Sequence, residues 1–356
     1  MLNINQTTPP FCPFTGLRVR ALTGKIPTVK TWNKTSAKST RTIEGRKNIM
    51  GKPSWTERVV GALRVRRFVF RAALAELLGT FLLVTMGNGS VAQVVLSRED
   101  KGTFLSINWG YGIGVVIGVY ASWGVSGAHL NPAVSLTMAV LGKLRWVYLP
   151  CYVLAQMLGA FLSAVCVYIV YYDALANFDG GTRAVLGVNG TGGIFSTYPQ
   201  DYLSIGSGVL DQVVGTGLLL CGVLALTDSR NNKVTAGMEP LLVGLLVLAI
   251  GTSFGFNCGY AINPARDLGP RIFTAMAGWG IEVFRAGNHW WWVPIVGPLI
   301  GGLVGGLVYT LMVALHHPEE EDDEPVHGSP ELQDVKVPEG GVANAAMEDL
   351  PSNTIV

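Results

Sequence analysis

Two related stretches decide the fold of this chain: SGAHLNPAV at residues 126–134 and CGYAINPAR at residues 258–266. Each contains Asn-Pro-Ala, which follows a long apolar segment and opens a short one. Asparagine is a favoured N-cap residue and proline is favoured in the first helical turn, so each Asn-Pro-Ala predicts the start of a helix. Helices that begin inside a membrane protein, in corresponding halves, indicate a transport site. The candidate pore residues are Asn131, Pro132, Ala133, Asn263, Pro264 and Ala265.

The composition indicates an all-α protein that crosses a membrane several times. Of the 356 residues, 49% are hydrophobic and 14% are charged, which is too apolar for a soluble protein. Several apolar windows exceed the roughly 18 residues typical of a transmembrane helix. The six predicted spans are 70–96, 104–124, 147–172, 207–228, 238–257 and 290–315. Because no catalytic triad, phosphate-binding loop or metal cluster is evident, we predict no enzymatic activity, no cofactor and no metal.

The segments that open with Asn-Pro-Ala, 131–141 and 263–276, are too short to cross the bilayer. At about 1.5 Å per residue, about ten residues cover about 15 Å, half of a ~30 Å hydrocarbon core. We predict two re-entrant half-helices that enter from opposite faces and meet at the midplane. Their N-termini carry partial positive charge and the asparagine side chains offer N–H donors, so we expect cations and protons to be excluded.

The two halves form a predicted inverted repeat. The sequence ELLGT at 76–80 resembles QVVGT at 212–216. Each half contains three spans, an odd number, so the halves insert with opposite orientations. Fifteen Lys and Arg residues lie among residues 1–71. This basic flank places the N-terminus in the cytoplasm, and six spans bring the C-terminus back there.

We expect three regions along the chain. Residues 1–67 form a cytoplasmic tail without an apolar period, residues 68–316 form the channel domain, and residues 317–356 form an acidic cytoplasmic tail. The channel domain divides into repeats at about 68–172 and 207–316, joined by an external linker at 173–206.

Two short motifs predict further attachments. Asn189-Gly190-Thr191, in the external linker, is a glycosylation sequon with suitable placement. The last residues, Asn353 to Val356, match the Thr-x-Val form of ligands for PDZ domains, which add such a segment as a strand and capture its carboxylate.

The two Asn-Pro-Ala stretches, together with GYAINPARDLGPR at 259–271, resemble the aquaporin (major intrinsic protein) family over about residues 68–316. Asp267, directly after Arg266, resembles the aquaglyceroporin branch. The resemblance implies six transmembrane helices with two re-entrant half-helices, and a homotetramer with a pore in each subunit. It also implies passive conduction of water, glycerol and other small neutral solutes such as urea.

The resemblance further implies a selectivity filter outside the midplane, formed by Tyr111, Gly251, Tyr260 and Arg266. Water-selective relatives usually carry His at the Gly251 position, so we expect a wider lumen here. Glycerol channels more often have Trp or Phe at the Tyr111 position, and the tyrosine adds a hydroxyl. We expect the aromatic faces to line the CH side of glycerol while Arg266 and backbone carbonyls bond its hydroxyl groups.

Two further side chains have two interpretations each. Glu76 lies within the first span, where an acid is either functional or paired. It either accepts backbone N–H groups from a re-entrant loop or carries a transported proton. His129 lies two residues before Asn131, and it is either a pH gate or a packing residue.

We therefore predict a multi-pass channel of the plasma membrane with both termini in the cytoplasm and no nucleic-acid partner. Three alternatives stay open at this point, one of them a junction-type membrane protein that forms packed arrays without solute flux. A water-only aquaporin would share the fold, although Gly251 and Asp267 weigh against it. An ion-coupled secondary transporter can also use inverted repeats and broken helices, but it needs paired intramembrane acids.

Overall fold

The computed structural model describes residues 54–231, 234–235 and 237–318. The predicted tails therefore lie largely outside the described residues, as does Val356 with its PDZ motif. The chain divides into two compact units, Met1–Ala62 and Leu63–Val356. Helix α1 (Trp55–Leu63) begins in the first unit and ends at the first residue of the second.

In the described part of the second unit, the regular secondary structure is helical apart from one isolated β-bridge between Ala184 and Gly190. Its helices are α2 (Phe68–Leu96), α3 (Phe104–Ser126), α4 (Pro132–Val140), α5 (Leu149–Val170), α6 (Tyr172–Asp179), α7 (Ile205–Thr227), α8 (Glu239–Phe254), α9 (Pro264–Met276), α10 (Glu282–His289) and α11 (Val293–Met312). Short 3-10 turns occur at Trp146–Tyr148, Gly192–Ile194, Trp290–Trp292 and Ala314–His316.

Each predicted span corresponds to a helix, which confirms the all-helical membrane fold. Within the described residues, five helical stretches are long and apolar enough to cross a membrane: Phe68–Leu96, Phe104–Ser126, Trp146–Val170, Ile205–Thr227 and Glu282–His316. The predicted span 238–257 is shorter than expected, because α8 has 16 residues. It starts with Pro240 in its first turn and ends before Gly255. At about 1.5 Å per residue, α8 is about 24 Å long.

The half-helices α4 and α9 begin at the two prolines, as the Asn-Pro-Ala pattern predicts. Asn131 caps α4 by accepting a hydrogen bond from the backbone N–H of Ala133. Asn263 caps α9 by accepting from the N–H groups of Ala265 and Arg266. These caps satisfy N–H groups that have no partner within the helix.

The packing of the helices follows the inverted repeat. In the first half α2 packs along α3 and α5, and in the second half α7 packs along α8 and α11. The half-helices cross over, because α4 packs against α11 and α9 packs against α5. Each re-entrant helix is therefore supported by the last span of the opposite half.

Glycines allow the last span to approach α7 closely. A side chain at Gly305 would overlap the backbone of Gly217, and one at Gly301 would overlap the backbone of Val213. Between membrane helices, association depends on such close packing because lipid and side chains are equally apolar.

We expect Gly305→Val to lower the yield and the thermal stability of the folded protein, because its side chain cannot fit against the Gly217 carbonyl. Overpacking of this kind costs about 1–3 kcal/mol or more. Gly124→Val is the matched control, since a Cβ at Gly124 meets no atom within 4 Å. Fluorescence-detected size-exclusion chromatography after heating measures both variants. Equal melting temperatures for the two would contradict the packing argument.

Candidate functional site

A cavity of about 320 Å³ is lined by residues of both halves. Asn131 and Asn263 both lie on its wall, and so do Tyr111, Tyr260 and Arg266. Most of the remaining wall is aliphatic, formed by Leu83, Val115, Val119, Val134, Met138, Leu219, Val223, Val243 and Val247. Thr227 and Lys143 add polar groups. The arrangement is an apolar conduit with a few fixed hydrogen-bonding groups.

The two candidate asparagines are bonded across the junction of the half-helices. The side-chain nitrogen of Asn131 donates to the carbonyl of Ile262 at 2.8 Å. The side-chain nitrogen of Asn263 donates to the carbonyl of Leu130, also at 2.8 Å. An amide NH₂ group has two hydrogens, so each asparagine keeps a second donor for the cavity that it lines.

Three predicted filter residues lie together on the same cavity. The guanidinium carbon of Arg266 is 4.7 Å from the centre of the Tyr111 ring. The rings of Tyr111 and Tyr260 meet edge to face with their centres 6.1 Å apart. A guanidinium N–H of Arg266 donates to the carbonyl of Phe195 at 3.4 Å. This cluster places a fixed positive charge beside two aromatic walls.

Gly251 lies behind Tyr260 and is not among the residues that line the cavity. A Cβ at Gly251 would be 2.6 Å from Cζ of Tyr260 and 2.7 Å from Oδ1 of Asn108. The space left by the missing side chain is occupied by the Tyr260 ring and the Asn108 side chain. The wider lumen expected from Gly251 stays a prediction.

The hydroxyl group of Tyr111 is turned toward α2. It donates to Oδ1 of Asn88 at 2.6 Å, and Asn88 is fully buried. Sequence reasoning missed Asn88. Its signal was present, because a polar side chain in the middle of an apolar span needs a partner.

The model of the family described as Major intrinsic protein matches residues 63–309, well over half of the chain. The chain belongs to the major intrinsic protein family.

Relatives within this family are similar over most of their length. The chain is 54% identical to human Aquaporin-10 over 261 residues, which cover 73% of this chain and 87% of the relative. It is 49% identical to human Aquaporin-9 over 259 residues, covering 71% and 88%. The X-ray structure of the aquaglyceroporin from Plasmodium falciparum matches with a TM-score of 0.63 and 31% identity, over 69% of this chain and 98% of that one. The resemblance to the aquaglyceroporin branch is confirmed.

In this member of the family, Asp267 is fully buried and does not line the cavity. Its carboxylate accepts from Arg271 at 2.7 and 2.9 Å and from the backbone N–H and hydroxyl of Thr197 at 2.7 and 2.5 Å. Arg271 also donates to the carbonyls of Thr197 and Val283. Asp267 thus ties the linker to α9 directly beside Arg266.

Glu76 is fully buried and holds the first re-entrant loop by its backbone. Its carboxylate accepts from the N–H groups of His129 at 2.9 Å and Leu130 at 2.7 Å. It also accepts from the Ser126 hydroxyl at 2.6 Å and from the side-chain amide of Gln156 at 2.8 Å. These four donors occupy both carboxylate oxygens.

Gln212 has the corresponding place in the second half. Its side-chain oxygen accepts from the backbone N–H of Ile262 at 2.9 Å. Its side-chain nitrogen lies 3.1 Å from the Cys258 sulfur. Each half therefore uses an acceptor on its first span to bond the residue directly before its Asn-Pro-Ala.

His129 lines the cavity beside Asn131. Its Nδ1 is 3.1 Å from the Ser135 hydroxyl, and its ring centre is 5.1 Å from that of Tyr152. Both the gating and the packing interpretations fit this position.

The sequon residue Asn189 is exposed, and its side-chain oxygen accepts from Arg98 at 3.4 Å. Thr191, in contrast, is fully buried. The Thr191 hydroxyl accepts from the indole N–H of Trp279 at 3.1 Å.

We expect Glu76→Gln to destabilise the folded channel. One carboxylate oxygen would become an NH₂ group, and this donor would face N–H or O–H groups that now donate to the carboxylate. A buried donor left without a partner costs about 1–3 kcal/mol. Thermal unfolding in detergent measures the change. Glu99→Gln, at an exposed position, is the control. A melting temperature for Glu76→Gln equal to that of the control would rule out this role for the carboxylate.

Proposed function

We propose that this chain is a passive channel that conducts water, glycerol and other small neutral solutes such as urea, and that it excludes protons and ions. One observation carries the proposal. A single cavity is lined by both Asn-Pro-Ala asparagines and by Tyr111, Tyr260 and Arg266. The two groups of residues act in series on any solute that passes.

The filter geometry suits a polyol. The rings of Tyr111 and Tyr260 offer apolar surface to the CH side of glycerol, since the hydroxyl of Tyr111 is bonded to Asn88. Arg266 has five N–H donors, and its guanidinium donates one described hydrogen bond, to Phe195. The remaining donors can bond solute hydroxyl groups as their water is removed. This matters because each hydroxyl buried without a partner costs about 1–3 kcal/mol.

Protons and cations are excluded because the groups at the junction are hydrogen-bond donors and the positive ends of two helix dipoles. The N-termini of α4 and α9 both face the junction at Asn131 and Asn263, and each helix end carries about half a positive charge. A water that accepts hydrogen bonds from both asparagines has no lone pair left to accept a proton from its neighbour. The charge of Arg266 adds a second barrier to cations.

The ion-coupled transporter is disfavoured by the same geometry. Glu76 does not line the cavity, and both its oxygens are occupied by donors. Asp267 is paired with Arg271 in a fully buried ion pair. Neither acid is placed to exchange a proton with a solute pathway.

We expect vesicles that contain the chain to swell in a glycerol gradient, and Gly251→His to reduce the glycerol flux while largely preserving water flux. The imidazole would displace the Tyr260 ring toward the lumen, which narrows the path for glycerol more than for water. Stopped-flow light scattering, with an impermeant sugar as the reference solute, measures both fluxes.

The matched control for this experiment is Gly124→His, because a side chain at Gly124 meets no atom within 4 Å. Unchanged glycerol flux in Gly251→His would remove Gly251 from the filter. Absence of glycerol-driven swelling in the unmodified protein would contradict the proposed function itself.

We expect Asn189 to carry a glycan that is added before the linker folds, because the Thr191 hydroxyl that the sequon requires is buried in the folded structure. Enzymatic deglycosylation should shift the protein on a gel, and Asn189→Gln should abolish the shift. An identical shift in Asn189→Gln would place the glycan elsewhere.

We also propose a homotetrameric channel in the plasma membrane with both termini in the cytoplasm, and capture of the C-terminal Val356 by a PDZ protein. Family resemblance supports the tetramer, and the basic flank of the first span supports the orientation. Native mass spectrometry tests the assembly, and a Val356-deleted tail peptide is the control for PDZ capture.

For His129 we retain the proposed pH gate beside the packing role. A flat permeability profile from about pH 5 to 8 would exclude the gate, since unperturbed histidine titrates near 6.5.

A further inference from the structure

Asn88 connects three elements around the filter through one side chain. Its Oδ1 accepts the Tyr111 hydroxyl of α3 at 2.6 Å. Its Nδ2 donates to the carbonyl of Phe195, in the linker, at 3.3 Å. Asn88 is itself fully buried in α2, so neither bond competes with bulk water.

The Phe195 carbonyl extends this connection to the opposite side of the filter. It accepts from Arg266 Nη1 as well as from Asn88. Tyr111 and Arg266, which face one another at 4.7 Å, are thus joined behind the filter through Asn88 and one carbonyl. Hydrogen bonds in such a buried chain support one another because no water replaces them.

The residue before Asn88 fixes the same tyrosine by packing. A side chain at Gly87 would overlap the Tyr111 ring, so the ring lies directly on the backbone of α2. Packing on Gly87 sets the plane of the ring, and the bond to Asn88 sets the direction of its hydroxyl. Together they determine which part of Tyr111 faces the cavity.

We infer that Asn88 is a positioning residue of the filter, which keeps the Tyr111 hydroxyl away from permeating solutes. The inference rests on the proposed function, because it assigns a role within the same filter. A tyrosine whose hydroxyl is held in this way presents only aromatic carbon to the lumen, as phenylalanine would. Without Asn88, the hydroxyl hydrogen loses the acceptor that it has in the structure, and water and solute hydroxyl groups in the cavity can take its place.

The test is a pair of substitutions measured as the ratio of glycerol to water permeability in vesicles. We expect Asn88→Leu to lower this ratio about threefold to tenfold, the range that corresponds to one lost buried hydrogen bond. Adding Tyr111→Phe to Asn88→Leu should return the ratio close to that of the unmodified protein, because no hydroxyl remains to enter the lumen. A purely structural role for Asn88 would not give this rescue.

Thr80→Val is the matched control, because Thr80 is also fully buried in α2 and its hydroxyl has no hydrogen-bond partner among the described residues. Its permeability ratio should not change. If Asn88→Leu is not recovered in folded form, Asn88→Ala with and without Tyr111→Phe poses the same question.

An unchanged ratio in the Asn88 variants, or a decrease that Tyr111→Phe does not reverse, would overturn the inference. If Gly251→His still lowers glycerol flux in that case, the proposed filter stands and only the role of Asn88 is lost. If the Asn88 variants and Gly251→His all conduct glycerol as the unmodified protein does, the filter assignment itself fails.

Discussion

The structure depends on two reciprocal hydrogen bonds, from Asn131 to the Ile262 carbonyl and from Asn263 to the Leu130 carbonyl. Backbone that leaves a helix at membrane depth must have its polar groups satisfied within the protein or by water in a cavity. Each loop before an Asn-Pro-Ala receives a donor from the asparagine of the other half. The halves cannot separate at this point without exposing unpaired carbonyls, and this constraint holds the two helix N-termini against the conduit.

The same loops contain strained backbone at matched positions. Ala128 and Leu130 have φ of 52°, and Tyr260 and Ile262 have φ of 37° and 40°. In both loops these residues lie three and one positions before the asparagine. Left-handed backbone at residues other than glycine costs about 1–3 kcal/mol each. It persists because Glu76 and Gln212 bond the loop N–H groups, while the two asparagines bond the carbonyls. The strain is thus maintained by contacts that also build the pore.

The two loops before the Asn-Pro-Ala motifs share their positive-φ positions but differ in their side chains. The residues three before and three after the asparagine are Ala128 and Val134 in the first loop, but Tyr260 and Arg266 in the second. At these two positions the first loop carries small apolar side chains, whereas the second carries an aromatic ring and a cation. The halves also differ at their anchors, where charged Glu76 accepts four donors and neutral Gln212 replaces it. The two loops therefore share their backbone pattern at the positive-φ positions but carry different side chains.

The sequence predicted the spans and half-helices well, because hydropathy, caps and the repeated Asn-Pro-Ala are local signals. Family spacing also identified Tyr111, Tyr260 and Arg266, which the structure brings to one cavity. Gly251 shows the limit, since its effect depends on where the Tyr260 ring points. Asn88 bonds Tyr111 and Phe195, and Asp267 bonds Thr197; these partners lie far along the chain, so no local pattern indicates them. Both tyrosine hydroxyls of the proposed filter are buried: that of Tyr111 is bonded to Asn88, and that of Tyr260 has no hydrogen-bond partner among the described residues. In the proposed filter, the two rings offer carbon surface and Arg266 supplies hydrogen-bond donors, a division that suits an elongated solute with a CH side and a hydroxyl side.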